Sequence, residues 1–435
     1  MLDVSRDRVP TMRTLRLIVD ILARCRYNQL QLYTEHTFAY EGHEEVWEEA
    51  DPITPSEIAK LQAYCEFQSV ELTANQNTFG HMERWLANPK YNRLAKFPKG
   101  GAITPWGEVK KYPTTLDPKN PGSIALVEDL LAQLLPNFNS PLVNIGCDET
   151  FEISDPEEYL GFVLKVIAAA KRLGKRPVIW GDIVLKHPEL VPRLPKDLTV
   201  LDWGYESYHP FMKEAEVFAK SGFDFYVVPG TSSWRSLAGR IENMRENLAA
   251  AEAAGRTFGA KGYMVADWGD HGHWQPLAAS LPGIILGGNF AFSGAKAANM
   301  DLERELNAVM DAPLGGYLMK LGTLYLRGGA IRANSSELFN ILANPVGYSR
   351  HPGLTDSILD EISGIAAGIR IAVEKWADRN DWAKEIAYMA SLLDCACHRR
   401  DEGRLRALRD EHGRIWRLRS REGGRVDSLM KLPRF

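Results

Sequence analysis

The sequence predicts an α/β fold, a (β/α)8 TIM barrel followed by an all-α C-terminal region, on three observations. Short apolar segments alternate with longer segments of helical period across the first 300 residues, the pattern of repeated βα units that build a parallel sheet. Eight such units fill about 275 residues, close to the ~250 that a closed eight-unit barrel needs. From about residue 301 the strand signals stop and helical spacing takes over, so a barrel over 1–300 and a helical domain over 301–435 are expected. No GxGxxG turn follows the first strand, which disfavours a doubly wound open sheet.

MLDVSR supplies the first strand, and Met12, Leu15, Val19 and Leu22, spaced by three and four, mark the helix after it. NQLQLY, Asn28 to Tyr33, is strand two and SVELTANQ, around Glu71, is strand three. The amphipathic IALVEDLLAQLL precedes strand four, LVNIG, which ends at Gly146. RPVIW ends at Trp180 as strand five, and LTVLDW ends at Trp203 as strand six. FDFYVVPG near Val227 and KGYMVADW, ending at Trp268, complete the eight. Near the C-terminus, HRRDEGRLRALRDEHGR interleaves acidic residues with arginines at helical spacing and reads as a solvated, salt-bridged face.

With 45% hydrophobic and 25% charged residues the chain is not disordered. Its 52 basic and 56 acidic residues give a net charge of −4, with no global positive field to hold a nucleic acid. No apolar run reaching the ~18 residues of a membrane span is expected, since the longest candidate, Tyr159 to Ala170, is broken by Lys165. Five cysteines (Cys25, Cys65, Cys147, Cys395, Cys397) without paired CxxC spacing fit reduced thiols in a cytoplasm. Nothing near Met1 reads as a signal peptide, although a start directly in a buried strand leaves room for an upstream segment.

In a barrel of this kind chemistry gathers where the strands end. Those positions carry Arg6, then Glu35 and His36, then Asn75, Gln76 and His81, then Asp148 and Glu149. Trp180, Asp182, Trp203, Tyr205, Glu206 and Trp234 follow, and the last strand brings Trp268, Asp270, His271, His273 and Trp274. Five of the eleven tryptophans fall on this rim, which suits a pocket for the apolar face of a sugar ring, although any one of them equally serves as a cap on the barrel core. Asp148 and Glu149 are neighbours. If both face a closed pocket their repulsion raises one pKa and makes that group a candidate general acid, whereas the alternative is an N-cap for the helix near Glu157. Two adjacent carboxylates cannot easily straddle a sugar, so either Asp182, Glu206 or Asp270 supplies a second role or the substrate brings its own nucleophile. DWGDHGHW offers Asp267, Asp270, His271 and His273 to a metal, but from one loop only, so no metal and no cofactor are expected. No GxSxG elbow is present and Cys147 has no histidine base at its own strand end.

With these residues in view, the sequence resembles glycoside hydrolase family 20, the β-N-acetylhexosaminidases, in the bacterial branch with a helical C-terminal domain. The resemblance lies in MLDVSR, in NQLQLYTEHTFAY from Asn28 to Tyr40, and in FGHMERWL, which carries His81. It continues in NIGCDET from Asn144 to Thr150, in the WGD triplets at Trp180 to Asp182 and Trp268 to Asp270, and in IWRLRSREGG. It implies a substrate-assisted retaining mechanism, an exception to the two-carboxylate scheme, in which the 2-acetamido oxygen attacks the anomeric carbon and forms an oxazolinium ion. Glu149 would then be the general acid and base, and Asp148 would hold the acetamido N–H. Arg6 and Asp270 resemble the residues that bind the outer hydroxyls, while Trp180, Trp234 and Trp268 would wall the pocket. Glu35, His81 and Trp203 complete the expected substrate-binding set. The chain departs from the family pattern in having Asn144 for the usual histidine, Cys147 for a glycine, and GTSSW where a Tyr-x-Asp is common; Tyr205 is the expected replacement for that tyrosine.

The function so implied is a retaining exo-β-N-acetylhexosaminidase acting on terminal β-linked GlcNAc, GalNAc or both. A catalytically silent carbohydrate-binding barrel and a conventional retaining β-glycosidase on sugars without an acetamido group are the alternatives. The expected partner is a small carbohydrate or glycoconjugate. A counterpart of the family's small N-terminal domain is not expected in this sequence, and the barrel edges it would cover are expected either to be exposed or to serve self-association, as in a homodimer.

Overall fold

The computed structural model describes residues 1–105, 107–344 and 348–433. Eight parallel strands pair in sequence order: β1 (Leu2–Asp3), β2 (Gln29–Tyr33), β3 (Glu71–Asn75), β4 (Leu142–Asn144), β5 (Arg176–Trp180), β6 (Thr199–Trp203), β7 (Asp224–Val228) and β8 (Gly262–Tyr263). A parallel bridge between Leu2 and Asp267 closes the ring, with Asp3 N donating to the Asp267 carbonyl at 2.9 Å and Asp267 N to the Met1 carbonyl at 3.0 Å. The first and last strands are shorter than MLDVSR and KGYMVADW suggest. Asp3 Oδ1 takes the amides of Ser5 and Arg6 at 2.9 and 3.0 Å, which turns the chain out of the sheet after two residues. Past β8, Ala266 still donates to the Pro229 carbonyl at 2.8 Å and accepts from Thr231 N at 2.9 Å, so the segment runs on alongside β7 without a regular ladder.

Each strand is followed by helical chain: α1 (Met12–Arg24), α2 (Pro55–Phe67), α3 (Pro121–Leu134), α4 (Pro156–Arg172), α5 (Asp182–Lys186), α6 (Phe211–Ser221), α7 (Ile241–Phe258) and α8 (Leu281–Ser293). The starts are chemically marked. Thr54 and Glu57 form a reciprocal capping box with Pro55 at the first position of α2, and Asn120 and Asp155 cap α3 and α4 ahead of Pro121 and Pro156. Because Asp155 accepts from Glu157 N at 2.9 Å, the α4 cap is already filled and Asp148 and Glu149 do not serve it.

One expectation is corrected here. The segment Leu277–Asn299, which contains α8, has the length and apolar composition of a membrane-crossing helix, and 78% of its 18-residue apolar stretch is buried inside the fold. Glycines let it approach the barrel: a Cβ on Gly288 would stand 2.5 Å from the Cys25 carbonyl oxygen and one on Gly283 2.6 Å from Thr231 Cα.

The C-terminal chain forms α9 (Leu302–Met310), α10 (Gly315–Leu321), α11 (Glu337–Ala343), α12 (Asp356–Ala377), α13 (Asp381–Cys397), α14 (Glu402–Arg419) and α15 (Arg425–Lys431). A single hydrophobic cluster runs from Leu2 through these helices to Leu432. Glu385 on α13 is fully buried, receives Arg419 Nε at 2.6 Å and caps Ala278 N at 2.7 Å. Pro10 and Ser420 form an antiparallel bridge, and the Arg8 guanidinium donates to the His273 and Gln275 carbonyls while lying 4.8 Å from the Trp416 ring. The α14 face does carry ion pairs such as Arg406 to Glu402 at 3.7 Å, but His412 on its other side is buried between Tyr388 Oη (2.6 Å) and Ser428 Oγ (3.0 Å).

Candidate active site

The strand ends build a small pocket of about 70 Å³ lined by Arg6, His81, Asp148, Glu149, Trp180, Trp203, Tyr205, Trp268, Asp270 and Asn334. A larger cavity lies at the opposite end of the strands, beside Gln29, Glu71, Arg176 and Lys261, away from the end where barrels of this class place their chemistry.

Arg6 enters from the turn after β1. Its guanidinium contacts Asp3 Oδ2 at 3.1 Å, Tyr33 Oη at 3.2 Å, Glu35 Oε1 at 3.7 Å and Asp270 Oδ1 at 3.3 Å, and it lies over the Trp268 and Tyr33 rings at 4.7 and 4.8 Å. Asp3 Oδ2 also accepts from Gly269 N at 2.9 Å, so one carboxylate ties the first strand end to the last. Burial pulls the Arg6 pKa down, but the surrounding Tyr33, Asp270, Asp3 and Glu35 hold it well above its ordinary value, and the cation is fixed.

The acidic pair sits on a strained strand end. Gly146, Cys147 and Glu149 have φ of 71°, 71° and 48°, so two non-glycine residues are held in the left-handed region. The turn is wedged from below by Gly80, where a Cβ would fall 2.3 Å from the Asp148 carbonyl oxygen. His81, itself at φ 56°, places Nε2 3.2 Å from Asp148 Oδ2 and 3.4 Å from Glu149 Oε2. Burial lowers the His81 pKa, but the charge of Asp148 and its hydrogen bond outweigh this and raise it to about 10, so the ring is a cation at neutral pH. Burial pushes the Glu149 carboxyl up to about 7, with His81 opposing and Asp148 adding to the shift. Asp148 Oδ1 is buried and has no hydrogen-bond partner among the described residues. The pair therefore offers a carboxyl that keeps its proton near neutrality beside an unused buried acceptor.

Aromatic rings wall the rest. Trp180 and Trp268 meet at 5.8 Å and 43°, and Trp203 and Tyr205 at 5.4 Å and 31°. The indole N–H groups of Trp180 and Trp203 have no partner among the described residues. Trp234 stands behind this wall rather than in it: it is 1% exposed, packs edge-on against Tyr205 at 5.1 Å, and donates to Asn334 Oδ1 at 2.6 Å. Asn334, at φ 52°, donates its amide to Glu206 Oε1 at 2.6 Å, and Glu206 forms a two-pronged pair with Arg240 at 2.8 and 2.9 Å. Glu206 is thus committed to holding the loop that brings Asn334 to the pocket.

Of the residues singled out in the sequence, Arg6, His81, Asp148, Glu149, Trp180, Trp203, Tyr205, Trp268 and Asp270 come together. Glu35 does not line the pocket; its carboxyl accepts from Tyr33 Oη at 2.9 Å and backs Arg6, and burial pushes it up to about 7. Asp182 does not line the pocket; it is half-buried, and its carboxyl is raised to about 6, first by burial and then by the Asp148 charge. Trp274 is 1% exposed and donates to the Ser428 carbonyl at 3.3 Å, so it anchors α15. The DWGDHGHW residues diverge, with Asp267 accepting from Thr231, Ser233 and Ser280 hydroxyls and His271 packing on Trp274 and Phe339. The sequence reading missed Tyr33, whose hydroxyl also receives Asn77 Nδ2 at 2.6 Å, and Asn334. Tyr33 was legible as a strand-end residue next to Glu35; Asn334, far beyond the last strand, carries no local signal.

Residues 1–234, just over half of the chain, match the catalytic domain of glycosyl hydrolase family 20. Hexosaminidase D of Bos taurus is 24% identical over 286 residues, covering 59% of this chain and 79% of that protein. Hexosaminidase D of Homo sapiens is 22% identical over 288 residues, again 59% of this chain, but the match spans only 56% of the human protein's length. In fold, the chain is similar to the X-ray structure of Flavobacterium johnsoniae chitobiase, with a TM-score of 0.51 at 13% identity over 99% of this chain and 77% of that one.

Proposed function

The chain belongs to glycosyl hydrolase family 20, and from that premise we propose that it releases terminal β-linked N-acetylhexosamine, GlcNAc or GalNAc, with retention and with the substrate's acetamido oxygen as nucleophile. The observation that carries this reading is the free, buried Oδ1 of Asp148 beside the proton-holding carboxyl of Glu149. In the proposed reaction Asp148 accepts the acetamido N–H through Oδ1 while cationic His81 holds Oδ2. Glu149 gives its proton to the leaving oxygen as the acetamido oxygen closes on the anomeric carbon, then takes a proton from the water that opens the oxazolinium ring. The positive charge that develops on the acetamido nitrogen lies against the Asp148 carboxylate, a preorganised electrostatic contribution. Arg6 and Asp270 meet the outer hydroxyls, and Trp180, Trp203, Tyr205 and Trp268 enclose the ring and the acetamido methyl. Against a conventional protein nucleophile stand the engagement of Glu206 by Arg240 and of Asp270 by Arg6.

The test compares hydrolysis of aryl β-GlcNAc, β-GalNAc and β-glucoside by the same preparation. Turnover of an acetamido sugar with none of the glucoside is expected. Equal cleavage of the glucoside overturns the acetamido mechanism, and no turnover of any sugar favours a binding barrel.

A further inference from the structure

A second cluster of chemistry lies behind the pocket wall. Along β6, Leu201 and Trp203 face the pocket-side aromatic cluster, so Asp202 between them projects to the opposite face, towards α6. There it meets His209, from the β6–α6 connection, and Glu214, in the first turn of α6. One ligand atom from each of the three lies within 4.8 Å of the others, and His209 Nε2 stands 3.0 Å from Glu214 Oε2. Asp202 is 0% exposed, yet neither of its carboxylate oxygens has a hydrogen-bond donor among the described residues. A carboxylate removed from water without a donor is strongly destabilising unless a cation or a proton compensates it. The local backbone is shaped to put the imidazole there: at Gly204 a Cβ would come within 2.1 Å of His209 Cγ, so the ring lies directly on the chain between Trp203 and Tyr205. Phe211 fixes its other side, edge-on at 4.5 Å.

We propose that Asp202, His209 and Glu214 bind one divalent transition-metal ion of borderline softness, Zn2+ being the ion that fits first, as a structural clamp behind the sugar pocket. One imidazole nitrogen and two carboxylate oxygens are a ligand set for such an ion at bond lengths of about 2.0 to 2.2 Å, which needs donor atoms roughly 3 to 3.5 Å apart. The side chains of His209 and Glu214 are 19% and 21% exposed, which leaves an open direction for a water as fourth ligand. Burial and the neighbouring Glu214 charge push the Asp202 carboxyl up to about 9, so without an ion a proton takes the place of the metal between the two carboxylates. The ion ties the end of β6 to the start of α6 across Gly204. Its mechanical effect falls on Trp203 and Tyr205, which line the pocket.

The experiment uses the full chain without a histidine tag, stripped with EDTA, dialysed, and titrated with Zn2+ alone by calorimetry, with metal content read by mass spectrometry after gel filtration. One ion per chain is expected, together with a rise in Tm of several degrees at saturating Zn2+. Loss of a direct ligand in His209→Ala or Glu214→Gln is expected to weaken binding by more than ~100-fold, beyond the effect of changing an outer-shell partner. Both side chains are partly exposed, so these variants are expected to keep the wild-type circular dichroism, and Asp202→Asn serves as the buried third case. A wild-type chain that takes up no stoichiometric Zn2+ overturns the proposal and leaves a proton-sharing carboxylate pair; equal affinity in wild type and both variants overturns it as well.

Discussion

In the proposed mechanism Glu149 and Asp148 divide the chemistry through their surroundings, and that division is measurable. Replacing Glu149 by Gln is expected to lower kcat by about 10²- to 10⁴-fold on substrates with poor leaving groups, and less on aryl substrates whose departure needs little protonation. Asp148→Asn should lower kcat/KM for acetamido sugars while circular dichroism stays unchanged. The pH dependence follows from the direction of the Glu149 shift. Its folded pKa, about 7, lies above the ordinary 4.5, so the acid form that the proposed first step requires is lost, and kcat/KM is expected to fall, as pH rises through about 7. Linkage gives the same sign for stability: the contribution is complete below about pH 4.5 and disappears as pH rises through about 7. Glu149→Gln is therefore expected to raise Tm relative to wild type at pH 8 more than at pH 5, and an equal change at both pH values would contradict a buried, proton-holding Glu149. Asn334→Ala removes the acceptor of the Trp234 indole and a pocket-lining amide; a several-fold rise in KM with a smaller change in kcat is the expected kinetic signature.

At the scale of elements, the pocket depends on how closely the chain after β3 approaches the chain after β4. Gly80→Ala would push a methyl group to 2.3 Å from the Asp148 carbonyl and must displace the acidic pair, so a loss of activity of at least tenfold is expected, with only a modest fall in Tm. The same approach shows what a sequence can and cannot disclose. All eight strands were legible, because a buried parallel strand is a short apolar run and its end is marked by the polar residues that follow. RPVIW matches β5 residue for residue. The lengths of β1 and β8 were not legible, since they are set by the Asp3 side chain and by the irregular chain around Ala266 rather than by propensity. Leu277–Asn299 escaped notice because it is broken by glycines and one lysine, and those glycines are what allow it to pack closely against the barrel. Asp148 and Glu149 could be read as acids, but whether they cap α4 or face a pocket was decided by Asp155, seven residues after Asp148 and indistinguishable in type.

The barrel and its C-terminal helices share one core, and the join between them is polar and buried. Arg419 and Glu385 meet at 2.6 Å with side chains 9% and 0% exposed, and Glu385 also caps Ala278 at the approach to α8. Removing only one partner strands a buried charge, so Arg419→Met is expected to destabilise the chain by about 3 to 5 kcal/mol, seen as a lowered denaturant midpoint. Because the hydrophobic cluster is continuous from Leu2 to Leu432, unfolding should register as one transition in far-UV circular dichroism and in tryptophan fluorescence, and separated transitions would show that the two regions melt independently.

The carboxylate of Asp3, which joins the two ends of the barrel by accepting the Gly269 amide, also sets a schedule for biosynthesis. Its partner lies 266 residues further along the chain, and on a ribosome adding ~5–20 residues per second the first strand waits roughly 13 to 53 s for it. Through that interval Arg6 lacks Asp270, and the free edge of β1 that Asp267 will later cover stays open to other chains. The pocket is therefore among the last parts of the barrel to exist, and the yield of folded enzyme should depend on how well a host cell shields that edge during synthesis.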